Sequence, residues 1–159
     1  MFRVGLGRDL HRLSESRALI LGGELIPSQK GAEGHSDADV LVHAIIDALL
    51  GAAALGDIGE FFPDTDPSFK DVSSMILLEK VLRKMREKFP DFKILNIDCV
   101  ISLERPAVSP YKKNIRRNLA AVLGISPEQV HVKGKTGEGI GDVGEGRAIE
   151  ALAVAALDI

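Results

Sequence analysis

A long helix is predicted by residues 36–56, which read SDADVLVHAIIDALLGAAALG. The stretch from residue 37 to residue 55 is apolar and rich in alanine and leucine, both strong helix formers. Ser36 can cap its first turn, and the two acids that follow suit the positive end of a helix. Gly56 predicts where the helix ends.

Strands and helices are interspersed along the rest of the chain. Alternating or β-branched patterns predict strands, and a Gly22-Gly23 break between apolar segments predicts a short hairpin. The predicted strands are Phe2–Arg8, Ile94–Leu103 and Val130–Lys135, and further helices are predicted over Met75–Lys88 and Ser109–Leu123. The tail, Ala148–Ile159, is ambiguous, because its alanines favour a helix while its apolar residues alternate. This order predicts a mixed α/β or α+β class, in one domain spanning residues 1–159.

The composition is ordinary for a globular protein and excludes several functional classes. Hydrophobic residues make up 45% and charged residues 27% of the chain, so extensive disorder is not expected. The net charge of −3 provides no basic field for nucleic acid, and no apolar run approaches the roughly 20 residues of a membrane span. A single cysteine, Cys99, cannot form an internal disulfide, which favours a reducing, cytoplasmic location. Aromatic residues make up only 4% of the chain, so one subunit can build only a small hydrophobic core, which favours an oligomer.

A metal site is suggested by a carboxylate and two imidazoles. Asp9 and His11 lie two residues apart at the end of a predicted strand, so their side chains point to one side. His43 and Asp47 lie four apart on the predicted helix and share a face. Two histidines and one carboxylate form a known zinc set with an open fourth position, and Asp47 could orient an imidazole. The same spacing also fits a surface pair and a buried structural histidine, so the pattern alone leaves both interpretations open.

Two glycine motifs fail as nucleotide signatures. Residues 139–144 spell G-x-G-x-x-G, but the chain ends too soon afterwards for the helix, strand and acid of a dinucleotide fold. Gly134-Lys135-Thr136 resembles the end of a P-loop, yet Gln129 stands where the first glycine of that motif belongs. A glycine-rich segment after a strand remains, able to bring backbone N–H groups and cations to a phosphate. Glu138 in that segment offers a hard oxygen ligand for Mg²⁺.

The chain as a whole resembles the 2-C-methyl-D-erythritol 2,4-cyclodiphosphate synthase family of the non-mevalonate isoprenoid pathway. The resemblance covers nearly the whole chain and is most specific between residues 35 and 66. It is carried by the segments RVGLGRDLH at 3–11, LGG at 21–23, IP at 26–27, HSDADV at 35–40, His43, DALLGA at 47–52, LGDIG at 55–59 and FPDTD at 62–66.

The resemblance implies a fold, an assembly and a reaction. The fold is α+β, a single domain with a mixed sheet, helices on one side and a strand as its last segment. Three copies form a homotrimer around a threefold axis, with active sites between neighbouring subunits. The reaction converts 4-diphosphocytidyl-2-C-methyl-D-erythritol 2-phosphate to 2-C-methyl-D-erythritol 2,4-cyclodiphosphate and CMP, and the enzyme is a phosphorus–oxygen lyase.

The resemblance also implies roles for individual residues. The expected zinc ligands are Asp9, His11 and His43, and the expected ligand of a second cation, Mg²⁺ or Mn²⁺, is Glu138. The residues expected around the methylerythritol phosphate are His35, Ser36, Asp57 and Gly59, with Asp64 and Asp66 on a loop that orders over the substrate. The cytidine pocket is expected from the loop Leu103–Ser109, including Pro106, Ala107 and Val108, and from Gly134, Lys135 and Thr136.

The sequence departs from the family pattern at three places, none of them a metal ligand. Lys135 stands where threonine is usual, and Arg8 replaces a commonly apolar residue beside the metal ligands. The usual G-R-G-E-G has its charges exchanged, with Glu145 first and Arg147 second. Two other functions remain open at this point: a zinc-dependent phosphohydrolase, and a trimeric carrier of isoprenoid diphosphates without catalysis. The phosphohydrolase differs from the synthase in its reaction product. The intact metal ligands argue against the carrier without catalysis.

Overall fold

Helix α1, Val40–Ala53, is the central element of the fold in a computed structural model that describes residues 1–159. Eleven of its residues are buried. The remaining positions are His43 and Asp47, which are half-buried, and Gly51, which is exposed. The predicted apolar helix is therefore confirmed, and its two polar side chains face a partly open site rather than the core.

The ends of α1 differ from the prediction. Asp39 is the N-cap, and its carboxylate accepts a 3.1 Å hydrogen bond from the backbone N–H of Val42. Ser36 lies before the helix and instead accepts from the N–H of Ala38 at 3.2 Å. The helix ends at Ala54, a left-handed residue with φ 53°, before Gly56 is reached. Ser36 and Asp39 are both of a type that caps helices, and Asp39 is the N-cap because its carboxylate is buried against the first turn.

The main sheet is mixed and has the order β4-β1-β7-β5-β6. All pairs are antiparallel except β5 with β6, which is parallel. A separate two-stranded hairpin confirms the predicted turn at Gly22-Gly23. The main strands are β1 Phe2–Ser14, β4 Gly31–Ala32, β5 Lys93–Ser102, β6 Val130–Lys135 and β7 Ala148–Asp158, and the hairpin is formed by β2 Leu19–Leu21 and β3 Glu24–Ile26.

Helices cover one side of this sheet, which confirms the α+β class. Helix α1 packs on β1 and β7, α4 packs on β6, and α3 packs against both of those helices. The ambiguous tail is strand β7, and its inward alanines Ala151, Ala153 and Ala155 are buried. The helices are α2 Ile58–Phe61, α3 Ser74–Lys88, α4 Lys112–Leu123 and α5 Gly141–Gly144, with short 3₁₀ turns at Pro67–Phe69, Ser109–Tyr111 and Pro127–Gln129.

The opposite side of the sheet, which we call the outer face, carries exposed apolar side chains. They lie on β1 and β7: Phe2, Val4, Leu6, Leu10 and Val154. The part of the outer face on β5 and β6 includes an ion pair, with Lys133 Nζ 2.6 Å from Asp98 Oδ2. None of the helices has the length and apolar character needed to cross a membrane.

Candidate metal centre and active site

Three side chains from two elements converge on one point. Asp9 and His11 project from the helix side of β1, and His43 projects toward them from α1. Oδ2 of Asp9 lies 2.8 Å from Nε2 of His11 and 3.0 Å from Nδ1 of His43. The two imidazole nitrogens are 3.3 Å apart. One carboxylate oxygen and two imidazole nitrogens at such distances are a donor set that fits a divalent cation.

The electrostatics of this cluster suit a metal. Burial alone would raise the pKa of Asp9, but hydrogen bonds from His11 and His43 hold that pKa well below its usual range. Burial alone would lower the pKa of His11, but the Asp9 carboxylate raises it overall. Asp9 is therefore ionised at neutral pH, as a metal-binding carboxylate must be.

His43 is held from behind by hydroxyl groups and not by Asp47. Its Nε2 lies 2.9 Å from Oγ of Ser74 and 3.1 Å from Oγ of Ser36. The carboxylate of Asp47 accepts a 2.8 Å hydrogen bond from the backbone N–H of Ile58, at the start of α2. The expectation that Asp47 orients an imidazole is therefore wrong, because this acid is used to anchor the next helix.

A pocket of about 560 Å³ opens beside the three metal-binding side chains. Its other lining residues include His35, Ser36, Gly59 and Asp64, four of the residues expected around the substrate. Aromatic rings from Phe62 and Phe69 form part of its wall and contact each other edge to face. The structure therefore brings together in one chain the three metal-binding side chains and those four expected residues, which we call the first group.

Asp57 and Asp66, which are also expected around the substrate, do not line this pocket, and their carboxylates act as caps. Asp57 accepts from the N–H of Glu60 at 3.0 Å, and Asp66 accepts from the N–H of Ser68 at 2.9 Å. The backbone carbonyl of Asp66 accepts a 3.0 Å hydrogen bond from Nε2 of His35. That bond links the loop around residues 62–71 to the floor of the pocket.

The residues expected around the cytidine form a second group elsewhere in the chain. The loop after β5 and the end of β6 adjoin, since the N–H of Leu103 donates to the carbonyl of Lys135 at 2.9 Å. A Cβ at Gly134 would lie 3.5 Å from Cβ of Val108. Pro106 and Ala107 line a separate cavity of about 820 Å³. The carboxylate of Glu104, which the motifs did not single out, accepts from the N–H of Gly137 at 3.0 Å.

Glu138 stands in a strained position next to this second group. Its φ is 53°, in the left-handed region that favours glycine, and its carboxylate accepts a 3.1 Å hydrogen bond from Thr136 Oγ1. Non-glycine residues in that region are uncommon and cost free energy. A glycine-rich segment that keeps a strained glutamate, exposed to solvent, has the character of a functional loop.

The two groups do not meet within one chain. Asp9 pairs with Ala151 on β7, Ala151 pairs with Ile101 on β5, and Ile101 pairs with Gly134 on β6. Three strand spacings correspond to about 14 Å. No residue of the second group lines the pocket beside the metal-binding side chains. Within one chain, the expected metal-binding residues and the residues expected around the cytidine therefore lie on strands that are not adjacent.

Two of the sequence departures have clear structural positions. Arg8 points to the outer face, where its Nε lies 2.5 Å from Glu150, so it is not beside the metal-binding side chains. Arg147 Nη2 lies 2.6 Å from Asp142 and 2.8 Å from Glu145. Arg147 and Glu145 are therefore paired with each other in a local ion-pair cluster that also includes Asp142.

Known proteins are similar to this sequence over nearly its full length. A model of the YgbB family matches residues 2–158. The 2-C-methyl-D-erythritol 2,4-cyclodiphosphate synthase of Alkaliphilus metalliredigens is 56% identical over 152 residues, which cover 96% of this chain and 94% of that protein. The chain belongs to this family. The synthase of Enterococcus faecalis is 51% identical over 158 residues, covering 99% of both chains.

Solved structures of the family have the same fold. A CDP-bound 2-C-methyl-D-erythritol 2,4-cyclodiphosphate synthase superposes with a TM-score of 0.89 at 39% identity, over 98% of this chain and all of that one. The bifunctional IspDF of Campylobacter jejuni gives a TM-score of 0.93 at 38% identity. The match covers 99% of this chain but 42% of the bifunctional protein. The family therefore occurs both as a separate chain and as part of a fusion.

Proposed function

We propose that this chain converts 4-diphosphocytidyl-2-C-methyl-D-erythritol 2-phosphate to 2-C-methyl-D-erythritol 2,4-cyclodiphosphate and CMP, as a phosphorus–oxygen lyase of isoprenoid precursor synthesis. The observation that carries the proposal is the convergence of Asp9, His11 and His43 at a pocket lined by His35 and Ser36. These are the residues by which the sequence resembles its family, and the fold places them together.

The chemistry needs no side-chain nucleophile. An oxygen of the substrate's 2-phosphate attacks the β-phosphorus, a new P–O bond forms, and the bond to the α-phosphate oxygen breaks to release CMP. The attacking phosphate is already anionic at neutral pH, since its second pKa is about 6. The protein must fold a polyanion onto itself, and positioning of that kind contributes on the order of 7–11 kcal/mol.

Two cations fit the donor groups of the site. We assign Zn²⁺ to Asp9, His11 and His43, and Mg²⁺ or Mn²⁺ to Glu138. When bound, such ions supply Lewis-acid polarisation and neutralise the charge that develops on the phosphates.

The chain's own groups hold the rest of the substrate. His35, Ser36, Asp57 and Gly59 bind the methylerythritol phosphate, and the loop with Asp64 and Asp66 closes over it and excludes water. The second group binds the cytidine.

A homotrimer with interfacial sites is the assembly that this arrangement favours. The first group in one chain lies about 14 Å across the sheet from the second group, so the second group of a neighbour has to complete the site. The exposed apolar part of the outer face offers a surface for that contact, because exposed patches of this kind mark association sites. Three copies closing around an axis form a standard cyclic assembly.

One experiment separates this reaction from the hydrolytic alternative. The purified protein is incubated with the cytidine diphosphate substrate and Mg²⁺ in water enriched in ¹⁸O, and the products are followed by phosphorus NMR and mass spectrometry. Cyclisation yields CMP and the cyclic diphosphate in equal amounts, with no ¹⁸O in either. A phosphohydrolase would place one ¹⁸O in an opened phosphate, and a carrier would leave the substrate intact.

A further inference from the structure

The ring nitrogen of His43 that faces away from Asp9 is buried against a hydroxyl. Nε2 lies 2.9 Å from Oγ of Ser74, the first residue of α3. Ser74 is completely buried, at 0% exposure, so no solvent competes for this hydrogen bond. The direction of the bond determines which nitrogen of the imidazole carries its proton, and the surroundings of Ser74 fix that direction.

The hydroxyl proton of Ser74 is already committed. Ser74 Oγ donates a hydrogen bond to Oδ1 of Asp37. The same carboxylate accepts from the backbone N–H of Ser74 at 3.1 Å and from the backbone N–H of Asp39 at 3.2 Å. An ionised carboxylate can only accept, and a hydroxyl has a single proton. Ser74 Oγ must therefore accept the hydrogen bond from Nε2–H of His43.

Ser36 cannot set the direction by itself. Its Oγ lies 3.1 Å from Nε2 of His43 and accepts from the N–H of Ala38, but no carboxylate takes its proton. Its hydroxyl can therefore either donate to Nε2 or accept from it. Ser74 differs from Ser36 because Asp37 takes its proton, and Asp37 acts on His43 only through Ser74.

We propose that Ser74 and Asp37 are positioning residues that hold the proton of His43 on Nε2 when Nδ1 binds a metal. The lone pair is then on Nδ1, the atom 3.0 Å from Asp9 and 3.3 Å from His11, where a metal ligand is required. Outer partners of this kind orient a ligating imidazole, and losing one typically costs 10–100-fold in metal affinity. The inference rests on the proposed function in assuming that His43 binds a metal.

The test uses Ser74→Ala and Asp37→Asn, with Ser73→Ala as the matched control. Alanine at position 74 keeps the backbone N–H that donates to Asp37, and Ser73 makes no side-chain capping hydrogen bond. Zinc affinity is measured by competition with a chelator. We expect Ser74→Ala and Asp37→Asn each to bind zinc about 10–100-fold more weakly than the parent, with Ser73→Ala unchanged.

A second readout locates the proton directly. In the zinc-loaded parent labelled with ¹⁵N-histidine, NMR should show a protected Nε2–H on His43, and this proton should exchange at least tenfold faster in Ser74→Ala. A parent without that Nε2–H, or variants whose zinc affinity stays within twofold of Ser73→Ala, would overturn the inference. A parent that binds no zinc would instead refute the proposed metal centre, while its metal-free spectrum still reports which nitrogen of His43 is protonated.

Discussion

A Cβ atom placed on Gly7 would lie 1.9 Å from the carbonyl oxygen of Ala44. A Cβ on Gly5 would lie 2.0 Å from the carbonyl oxygen of Ala48, so β1 and α1 touch backbone to backbone over two turns of the helix. Two residues beyond Gly7 is Asp9, and one residue before Ala44 is His43. The close approach of these two elements is thus what brings metal-binding side chains from both into contact.

Gly7→Ala should disrupt the fold and the metal centre together. Neither backbone can move away without displacing a buried element, so we expect a loss of more than about 3 kcal/mol of stability. Gly51→Ala is the control, because Gly51 lies in the same helix and a Cβ there meets nothing within 4 Å. That variant should gain about 0.5–1 kcal/mol from helix propensity. Urea unfolding measures both, and equal stabilities would contradict the argument.

Leu6→Glu should dissociate the proposed trimer. Leu6 is 65% exposed on the outer face, and a carboxylate there would have to be buried without a partner in an intersubunit contact. Leu25→Glu is a matched control, since Leu25 is 66% exposed but lies on the separate hairpin. Light scattering should give a trimer for the parent and for Leu25→Glu, and a smaller species for Leu6→Glu. A parent that is monomeric and fully active would refute the trimer itself.

Periodicity predicted which of these side chains share a face, whereas the family resemblance, not the spacing, selected a metal site. Alternation along β1 places Asp9 and His11 on one side, and helical spacing places His43 on an accessible face of α1. Both patterns depend only on residues that are close in the chain, so they can be recognised in the sequence itself. The position of Ser74 could not be predicted in this way, because Ser74 reaches His43 from α3, which is distant in the chain.

The tail shows the same limit for secondary structure. Residues 148–158 are alanine-rich and favour a helix locally, yet they form a central strand paired with β1 on one side and β5 on the other. Tertiary pairing overrides propensity here, since small side chains let α1 lie close to the sheet. The family resemblance, not the local pattern, indicated a strand.

Arg17→Lys should weaken substrate binding without removing the metal. The guanidinium of Arg17 donates from Nη2 to the carbonyl of Ser36 at 2.7 Å and lies 3.3 Å from Asp71. The single ammonium nitrogen of lysine does not reproduce the fork by which Nη1 and Nη2 make these two contacts, so the segment that carries His35 and Ser36 loses support. We expect KM to rise on the order of tenfold with zinc content unchanged. Arg117→Lys, on the exposed side of α4, should leave KM unaltered.

Asp39→Asn should change how stability depends on pH. Burial raises the pKa of Asp39 to about 6, despite hydrogen bonds donated by Gly23 and Val42. The folded state therefore holds this proton more tightly than the unfolded chain. Proton binding by Asp39 stabilises the fold fully below about pH 4, and this stabilisation is lost as the pH rises through 6. When the pH is raised from 4 to 7.5, the Asn variant should gain about 2–3 kcal/mol of unfolding free energy relative to the parent. A pH-independent difference would exclude this titration.

Mixing two inactive variants should restore activity. His43→Ala should lose most of its zinc, because one of three ligands is gone, whereas Glu138→Gln should keep zinc but fail to turn over, because an amide binds a hard cation poorly. If a site combines His43 of one subunit with Glu138 of its neighbour, randomly mixed trimers contain intact sites. The chance that a site takes both wild-type halves is one half times one half, so about a quarter of the parent activity should return after the variants are denatured and refolded together. The same variants refolded separately and then combined should stay inactive until subunits exchange. No recovery in properly mixed trimers, confirmed by mass spectrometry of tagged subunits, would mean that His43 and Glu138 act within one chain or that Glu138 does not bind a cation.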